Sequence, residues 1–207
     1  MFNNFFFFLF FFSITVYSQN FPMDLWHTGM LITNDGDTIS GNLKYDFDNQ
    51  SLQLDDGETI RAFNVNNLFF FEIYDETIRD KRQFYSLMYE VGYNYRVPSL
   101  FEVVIEGKLS LLLKEKIIAE SSPNYYPSYY TYSLLPSYNH YSKLEYDYYF
   151  LNNEGEILKF KSKGKKKQLL SLMSDNYEKI KFFLSSNKIN LSKMKDLVKV
   201  VEFYNNI

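Results

Sequence analysis

Tight-turn signals recur so closely along this chain that only short strands fit between them. Asn34-Asp35-Gly36-Asp37, Asp55-Asp56-Gly57, Glu106-Gly107-Lys108 and Asn152-Asn153-Glu154-Gly155 are the turn signals, and the Asp-Gly pair of the first tolerates the positive φ that a tight hairpin demands. The first separates Met30-Leu31-Ile32-Thr33 from a segment in which Ile39, Leu43, Tyr45 and Phe47 share one parity. Alternation of this kind buries one face of a strand and wets the other. Leu52 and Leu54, residues 60–63, and Tyr85, Leu87, Tyr89 and Val91 continue the pattern. Residues 68–74 are nearly all apolar, which predicts a central strand covered on both faces. Aromatic residues at 20%, with 19 Tyr and 21 Phe, agree with a sheet, where flat rings pack across neighbouring strands.

A hairpin is predicted around Glu106-Gly107-Lys108. Phe101, Val103 and Ile105 lead in and Leu109, Leu111 and Leu113 return, with Glu102 and Lys114 on the opposite face. Another hairpin joins residues 146–151 and 157–161. Between them, residues 123–141 carry three prolines and seven tyrosines, a composition that cannot continue a central strand and predicts a long tyrosine-rich surface loop. After Lys163 the period changes to three and four. Leu169, Met173, Tyr177, Ile180 and Leu184 predict a helix that restarts where Asp175 and Glu178 have capping-box spacing. Met194, Leu197, Val198, Val201 and Tyr204 predict a second helix, with Ser192 as its N-cap. Leu169, Met173, Leu197 and Val201 are expected to face inward. The predicted class is α+β: a mainly antiparallel β-meander, as a sheet or open barrel, followed by a C-terminal pair of helices.

Charge is divided along the chain. Residues 1–157 carry 10 Lys or Arg against 21 Asp or Glu, and residues 158–207 carry 12 against 4, balances of −11 and +8. The net charge of −3 fits no nucleic-acid binder as a whole. Zero cysteines exclude disulfides, thiolate metal centres and cysteine nucleophiles. The two histidines, His27 and His140, cannot form a three-His metal site, and each reads as structural. No Gly-x-Ser-x-Gly elbow, His-Glu-x-x-His pair or Gly-rich phosphate loop is present, so no cofactor or metal is expected. Paired carboxylates suit a glycoside hydrolase. Glu102 with Glu106, or Glu145 with Asp147, could face one way, but their alternation with apolar residues favours solvated strand faces. Asp46-x-Asp48-x-Gln50 opens like a calcium loop and then fails, with Ser51 where glycine is needed and Gly57 where a bidentate Glu belongs. The lysines of residues 163–167 read as a solvated face before a helix. The tyrosine tract is the candidate binding surface, with Tyr125, Tyr126, Tyr129 and Tyr130 as its contact residues, because Tyr joins a large ring to a polar tip at low ordering cost.

Residues 5–16 form an apolar run of 12, short of the roughly 20 that span a bilayer as a helix. With Ser18 and Val16 at the small-x-small positions before Gln19, residues 1–18 read as a secretory signal peptide. The expected organisation is then an antiparallel β domain over residues 19–163 and a helical tail over residues 164–207 packed on the sheet. The residue 26–45 segment with its turn and Gly41-x-x-x-Tyr45, the hairpin from Phe101-Glu102 to Leu113, and the Asp-Leu-Val to Tyr-Asn pattern of residues 196–205 resemble an uncharacterised family of signal-peptide-bearing envelope proteins of the Bacteroidetes type. The resemblance implies location and carries no catalytic residue. The expectation is an exported protein, periplasmic or associated with the outer membrane and without a membrane span after signal cleavage. It acts without enzymatic chemistry as a binding or scaffolding module for an envelope protein or a glycan. A carbohydrate-binding module and a carboxylate hydrolase stand as alternatives.

Overall fold

In the computed structural model, which describes residues 21–92, 95–124, 137–161 and 163–207, the turn signals fall between strands of one antiparallel sheet. The strands are β1 (His27–Thr33), β2 (Thr38–Asp46), β3 (Ser51–Asp55), β4 (Ile60–Asn64), β5 (Leu68–Asp75), β6 (Asp80–Gly92), β7 (Tyr95–Ile105), β8 (Leu109–Asn124), β9 (Ser137–Asn152) and β10 (Ile157–Lys159). Their order is β10-β9-β8-β7-β6-β5-β1-β2-β3-β4. Two meanders are therefore joined where β5 pairs with β1.

That junction forces the sheet to curl. Strand β4 lies four positions from β5, about 19 Å along a flat sheet at roughly 4.8 Å per strand. Yet only residues 65–67 connect them, a reach of about 15 Å at 3.8 Å per Cα step. The first strands consequently roll over their own inner face, and Ser86 Oγ on β6 donates to Val65 O at 2.8 Å. The ladder nevertheless stays open. Among the described residues β4 pairs only with β3 and β10 only with β9, so the barrel alternative is not borne out. Strand β1 lets β5 approach closely because of its glycine. A Cβ at Gly29 would lie 2.1 Å from Glu72 O, so the backbones can approach only without it.

The inner face holds two apolar clusters. Leu31, Leu43, Leu52, Leu54, Phe71 and Phe84 pack within the curl, with Phe71 and Phe84 stacked at 4.4 Å. At the other end, Leu109, Leu111 and Phe150 are covered by helices α1 (Lys165–Leu172), α2 (Tyr177–Ser186) and α3 (Met194–Asn205). Leu169, Met173, Leu197 and Val201 are all buried there, whereas Tyr177 is exposed. Among the described residues there are three α-helices where the periodicity predicted two, because a 3-10 turn at Ser174–Asn176 splits the first. Asp175 caps nothing. It accepts from Tyr204 Oη at 2.9 Å and pairs with Lys108, which ties the helices to the β7–β8 turn. Ser192 is not the N-cap of α3, which is Lys193 without a side-chain cap; Ser192 Oγ accepts from Lys165 Nζ instead. Asn205 closes the chain's end onto the sheet, accepting from Leu109 N at 3.0 Å and donating to Leu109 O at 3.1 Å.

Other expectations are corrected by the sheet's local geometry. Strand β5 is central, but Phe69 and Tyr74 are exposed: Tyr74 alternates with the inward Ile73, and a register shift opposite Ile32 and Thr33 puts Phe69 beside the inward Leu68, so both lie on the outer face, away from the helices. The tract of residues 123–141 is not wholly loop. Pairing of β8 with β9 continues to Asn124↔Ser137, leaving residues 125–136 outside the described residues. Pro123 is tolerated because β7 no longer pairs with β8 beyond Glu102↔Leu113, so the lost N–H faces no ladder partner. Residues 1–18, the expected signal peptide, also lie outside the described residues.

Candidate functional site

One row of cross-strand partners runs over six strands: Leu31, Phe71, Phe84, Glu102, Leu113 and Tyr148. Glu102 is the only charged member. Parity had set it on the face opposite Leu113, but a register shift between Val103 and Ile105 turns β7 over by one residue and brings Glu102 inward. The same shift leaves Phe101 and Val103 on the outer face with Leu112. A buried carboxylate is costly unless paired, and the pairing defines the site.

Arg82, two residues before Phe84 on β6 and opposite Ile73, supplies the positive charge. Its fork is fully used. Nε donates to Glu102 Oε1 at 2.9 Å, and Nη2 donates to Glu102 Oε2 at 2.5 Å and Glu115 Oε1 at 2.6 Å. Nη1 donates to Asp75 Oδ2 at 3.0 Å and Tyr45 Oη at 2.9 Å. Tyr45 Oη donates in turn to Glu115 Oε2 at 2.7 Å, and Thr77 donates from its N–H at 2.9 Å and its Oγ1 at 2.5 Å to Asp75 Oδ1. The guanidinium lies 5.2 Å from the Phe84 ring centroid and 5.6 Å from that of Tyr45. Side-chain exposure is 6% for Arg82, 1% for Asp75 and Glu115, and 10% for Glu102. Planar bidentate geometry is what guanidinium offers over ammonium, and here it joins β2, β5, β6, β7 and β8 at the seam between the two apolar clusters.

Three carboxylates face one guanidinium, so the protonation state matters. Burial pushes the Glu102 carboxyl up, outweighing its bonds to Arg82. Burial also acts on Asp75, but the bonds from Thr77 and Arg82 prevail and hold it below the usual range. Burial drives the Tyr45 phenol far above its ordinary value, against the pull of Arg82. For Arg82 itself burial opposes the charge, and the bonds and field of Glu102 more than restore it. Glu102 is thus the member that takes up a proton. Because its folded pKa is raised, its stabilising contribution is complete below the ordinary glutamate value of about 4.3 and declines as pH rises through the folded value. Carboxylates held low, such as Asp75, act the opposite way, so the Glu102 contribution is read as a difference: between that point and neutrality the melting temperature of Glu102→Gln should change more favourably with rising pH than that of wild type. An identical pH dependence in variant and wild type would contradict the assignment. Every buried side-chain nitrogen and oxygen among the described residues has a hydrogen-bond partner, so this cluster presents no spare group to a substrate.

The outer face carries a second unusual arrangement. Tyr89, Phe101 and Tyr149 pack edge to face, with centroids 5.1–5.6 Å apart. Lys114 Nζ lies 4.3 Å from the Phe101 centroid and donates to Ser99 Oγ. Burial pulls its pKa down to about 8, with the Lys159 charge adding to the effect. Ser99 Oγ itself donates to Gln50 Oε1 at 3.0 Å, and the N–H of Leu100 donates to the same oxygen at 2.7 Å. The β2–β3 turn thereby satisfies a backbone donor of β7 past the last β8 partner.

The remaining candidates from the sequence are spent in structure. Glu102 is buried while Glu106 is exposed, so the two do not form a pair. Glu145 and Asp147 share Lys116 at 3.7 and 3.0 Å, and Asp147 also takes Lys159 at 2.7 Å, a charge ladder on strand faces. Asp46 closes its own turn by accepting from Asn49 N at 2.9 Å and Asn49 Nδ2 at 2.7 Å. His27 is buried, with Nε2 2.8 Å from Pro22 O and its ring stacked near Tyr45. His140 falls in β9 opposite Ser121. Tyr125, Tyr126, Tyr129 and Tyr130 lie outside the described residues. Among the described residues no group of three His, Cys, Asp or Glu side chains is placed to hold a metal ion.

Sequence reading missed Tyr45, Asp75, Arg82 and Glu115 as a unit. One signal was available: Glu115 continues the parity of Leu109, Leu111 and Leu113, which marks it as inward. Among known proteins, no family model matches this chain, and neither the curated proteins nor the solved structures yield a match.

Proposed function

We propose that the chain is a non-enzymatic exported protein of the cell envelope that binds or scaffolds through the β8–β9 ribbon and the tyrosine-rich tract it carries. The observation that supports this reading is the ribbon itself. Beyond the last β7 partner, β8 and β9 stay paired for eleven further cross-strand pairs, ending at the tract of residues 125–136. A long two-stranded ribbon is marginal alone, and here it is anchored at its base by Glu115 in the buried cluster. Its exposed faces display Tyr141 and Tyr146, with Tyr141 Oη donating to Glu120 Oε2 at 2.6 Å. The saturated Arg82 cluster and the lysine-bound Glu145 and Asp147 lend the hydrolase alternative no support.

Replacing Tyr125, Tyr126, Tyr129 and Tyr130 together by Ser should leave the melting temperature within a few degrees of wild type. The same variant should lose retention on the envelope protein or immobilised glycan that captures the wild-type chain. A large loss of stability with retention intact would place those rings in a core and overturn the reading.

A further inference from the structure

We infer that Lys114 is an amine nucleophile that captures small aldehydes as a covalent imine. It stands where the sheet divides. Glu102↔Leu113 is the last cross-strand pair of β7 with β8, so Lys114 is the first residue of β8 past the fork. Leu112 belongs to the apolar cluster of the outer face, and Lys114, two residues on, lies on that same face. Its Nζ sits 4.3 Å from the Phe101 centroid and 5.7 Å from that of Tyr89, two rings that also pack on Tyr149. With Arg96, Ile157 and Lys159, Tyr89 lines a cavity of about 240 Å³, so room for a small molecule adjoins a ring that covers the amine.

No carboxylate neutralises this half-buried ammonium among the described residues. Asp147, its cross-strand partner on β9, is taken by Lys116 at 3.0 Å and by Lys159 at 2.7 Å. The charged groups about Lys114 are thus two cations and one shared anion, with the phenols of Tyr89 and Tyr149 beside them. Ring faces and one hydroxyl replace only part of the hydration that an ammonium loses on burial. Burial first, and the Lys159 charge second, accordingly pull its pKa down to about 8 against the opposing effect of Asp147. At pH 7 about a tenth of Lys114 is then free amine, against well under a thousandth of an ordinary lysine with a pKa of about 10.4. Ser99 does not compete as the nucleophile, since it is buried and gives its proton to Gln50 Oε1 at 3.0 Å. The reaction needs no further reagent. The amine lone pair adds to the carbonyl carbon, both N–H protons pass to the oxygen, and water leaves as C=N replaces C=O.

The test treats the full chain with limiting benzaldehyde and cyanoborohydride, which reduces the imine to a stable benzylamine, and maps the adducts by peptide mass spectrometry. The readout is the ratio of adduct at Lys114 to adduct at the exposed Lys166 and Lys179, in which the chemistry of the reagent cancels. That ratio should be about ten or more at pH 7 and fall to about one or below near pH 10.5, where ordinary lysines also lose their protons. Lys159→Gln alters an exposed side chain and should keep the melting temperature within a few degrees of wild type. It should lower the ratio at pH 7 several-fold, because a like charge is gone and Asp147 is freed to pair with Lys114. A ratio of one or less at pH 7, or a ratio that Lys159→Gln leaves unchanged, would overturn the inference. Capture of Ser99 by a fluorophosphonate would overturn it in favour of a hydroxyl nucleophile with Lys114 as its base.

Discussion

Arg82→Met should cost more stability than any other single change in the sheet. The substitution keeps an unbranched apolar stem and removes the guanidinium with all five donors, leaving Asp75, Glu102 and Glu115 facing one another in a buried seam. Removing one partner of a buried pair typically costs about 3–5 kcal/mol, and here three acceptors lose the same partner. Against a total stability of roughly 5–15 kcal/mol, the variant should be largely unfolded or molten at 37 °C. Urea melts followed by tyrosine fluorescence measure the effect. Adding Asp75→Asn, Glu102→Gln and Glu115→Gln to Arg82→Met should restore most of the loss, because it removes the unpaired charge. If Arg82→Met alone melts like wild type, the cluster is not what joins the two halves of the inner face.

The second large effect concerns the helices. Ending the chain after Lys163 should expose Leu109, Leu111 and Phe150 and delete the nine buried side chains Leu169, Leu170, Met173, Ile180, Leu184, Leu197, Val200, Val201 and Tyr204. At about 1.5–3 kcal/mol for each large side chain, the loss approaches or exceeds the whole stability of a domain. The truncated chain should therefore fail to show a cooperative thermal transition. A cooperative melt near the wild-type temperature would mean that the helices are an appendage to a sheet that stands alone.

Much of the fold was legible because it is locally encoded. The turn at Asn34-Asp35-Gly36-Asp37, the parity of Leu43 and Tyr45, and the three-to-four spacing of Leu197, Val201 and Tyr204 each follow from a few consecutive residues. What escaped was non-local. The pairing of β1 with β5 leaves no periodic signature, and the roll it imposes brings Tyr45 to Glu115 across 70 residues. The register shift after Val103 reverses which residues of β7 face inward, so parity counted along the strand put Glu102 in solvent. The helix break at Ser174–Asn176 was signalled by Asp175 and Glu178, although Asp175 serves Lys108 and Tyr204 and not a cap. The buried cluster was the hardest to foresee, because its members come from five strands and no local pattern brings them together.

A double-mutant cycle on Tyr45→Phe and Glu115→Gln tests most directly whether the sheet curls on itself and locks at the Arg82 cluster. The two residues sit on β2 and β8, five strand positions apart, about 24 Å in a flat sheet at roughly 4.8 Å per strand. Two side chains cannot bridge that span. With Tyr45 Oη donating to Glu115 Oε2 at 2.7 Å inside the seam, the stabilities measured by urea unfolding should be non-additive by about 1–3 kcal/mol. Additivity within about 0.3–0.5 kcal/mol, the behaviour of distant independent sites, would contradict the curled sheet and the cluster that closes it.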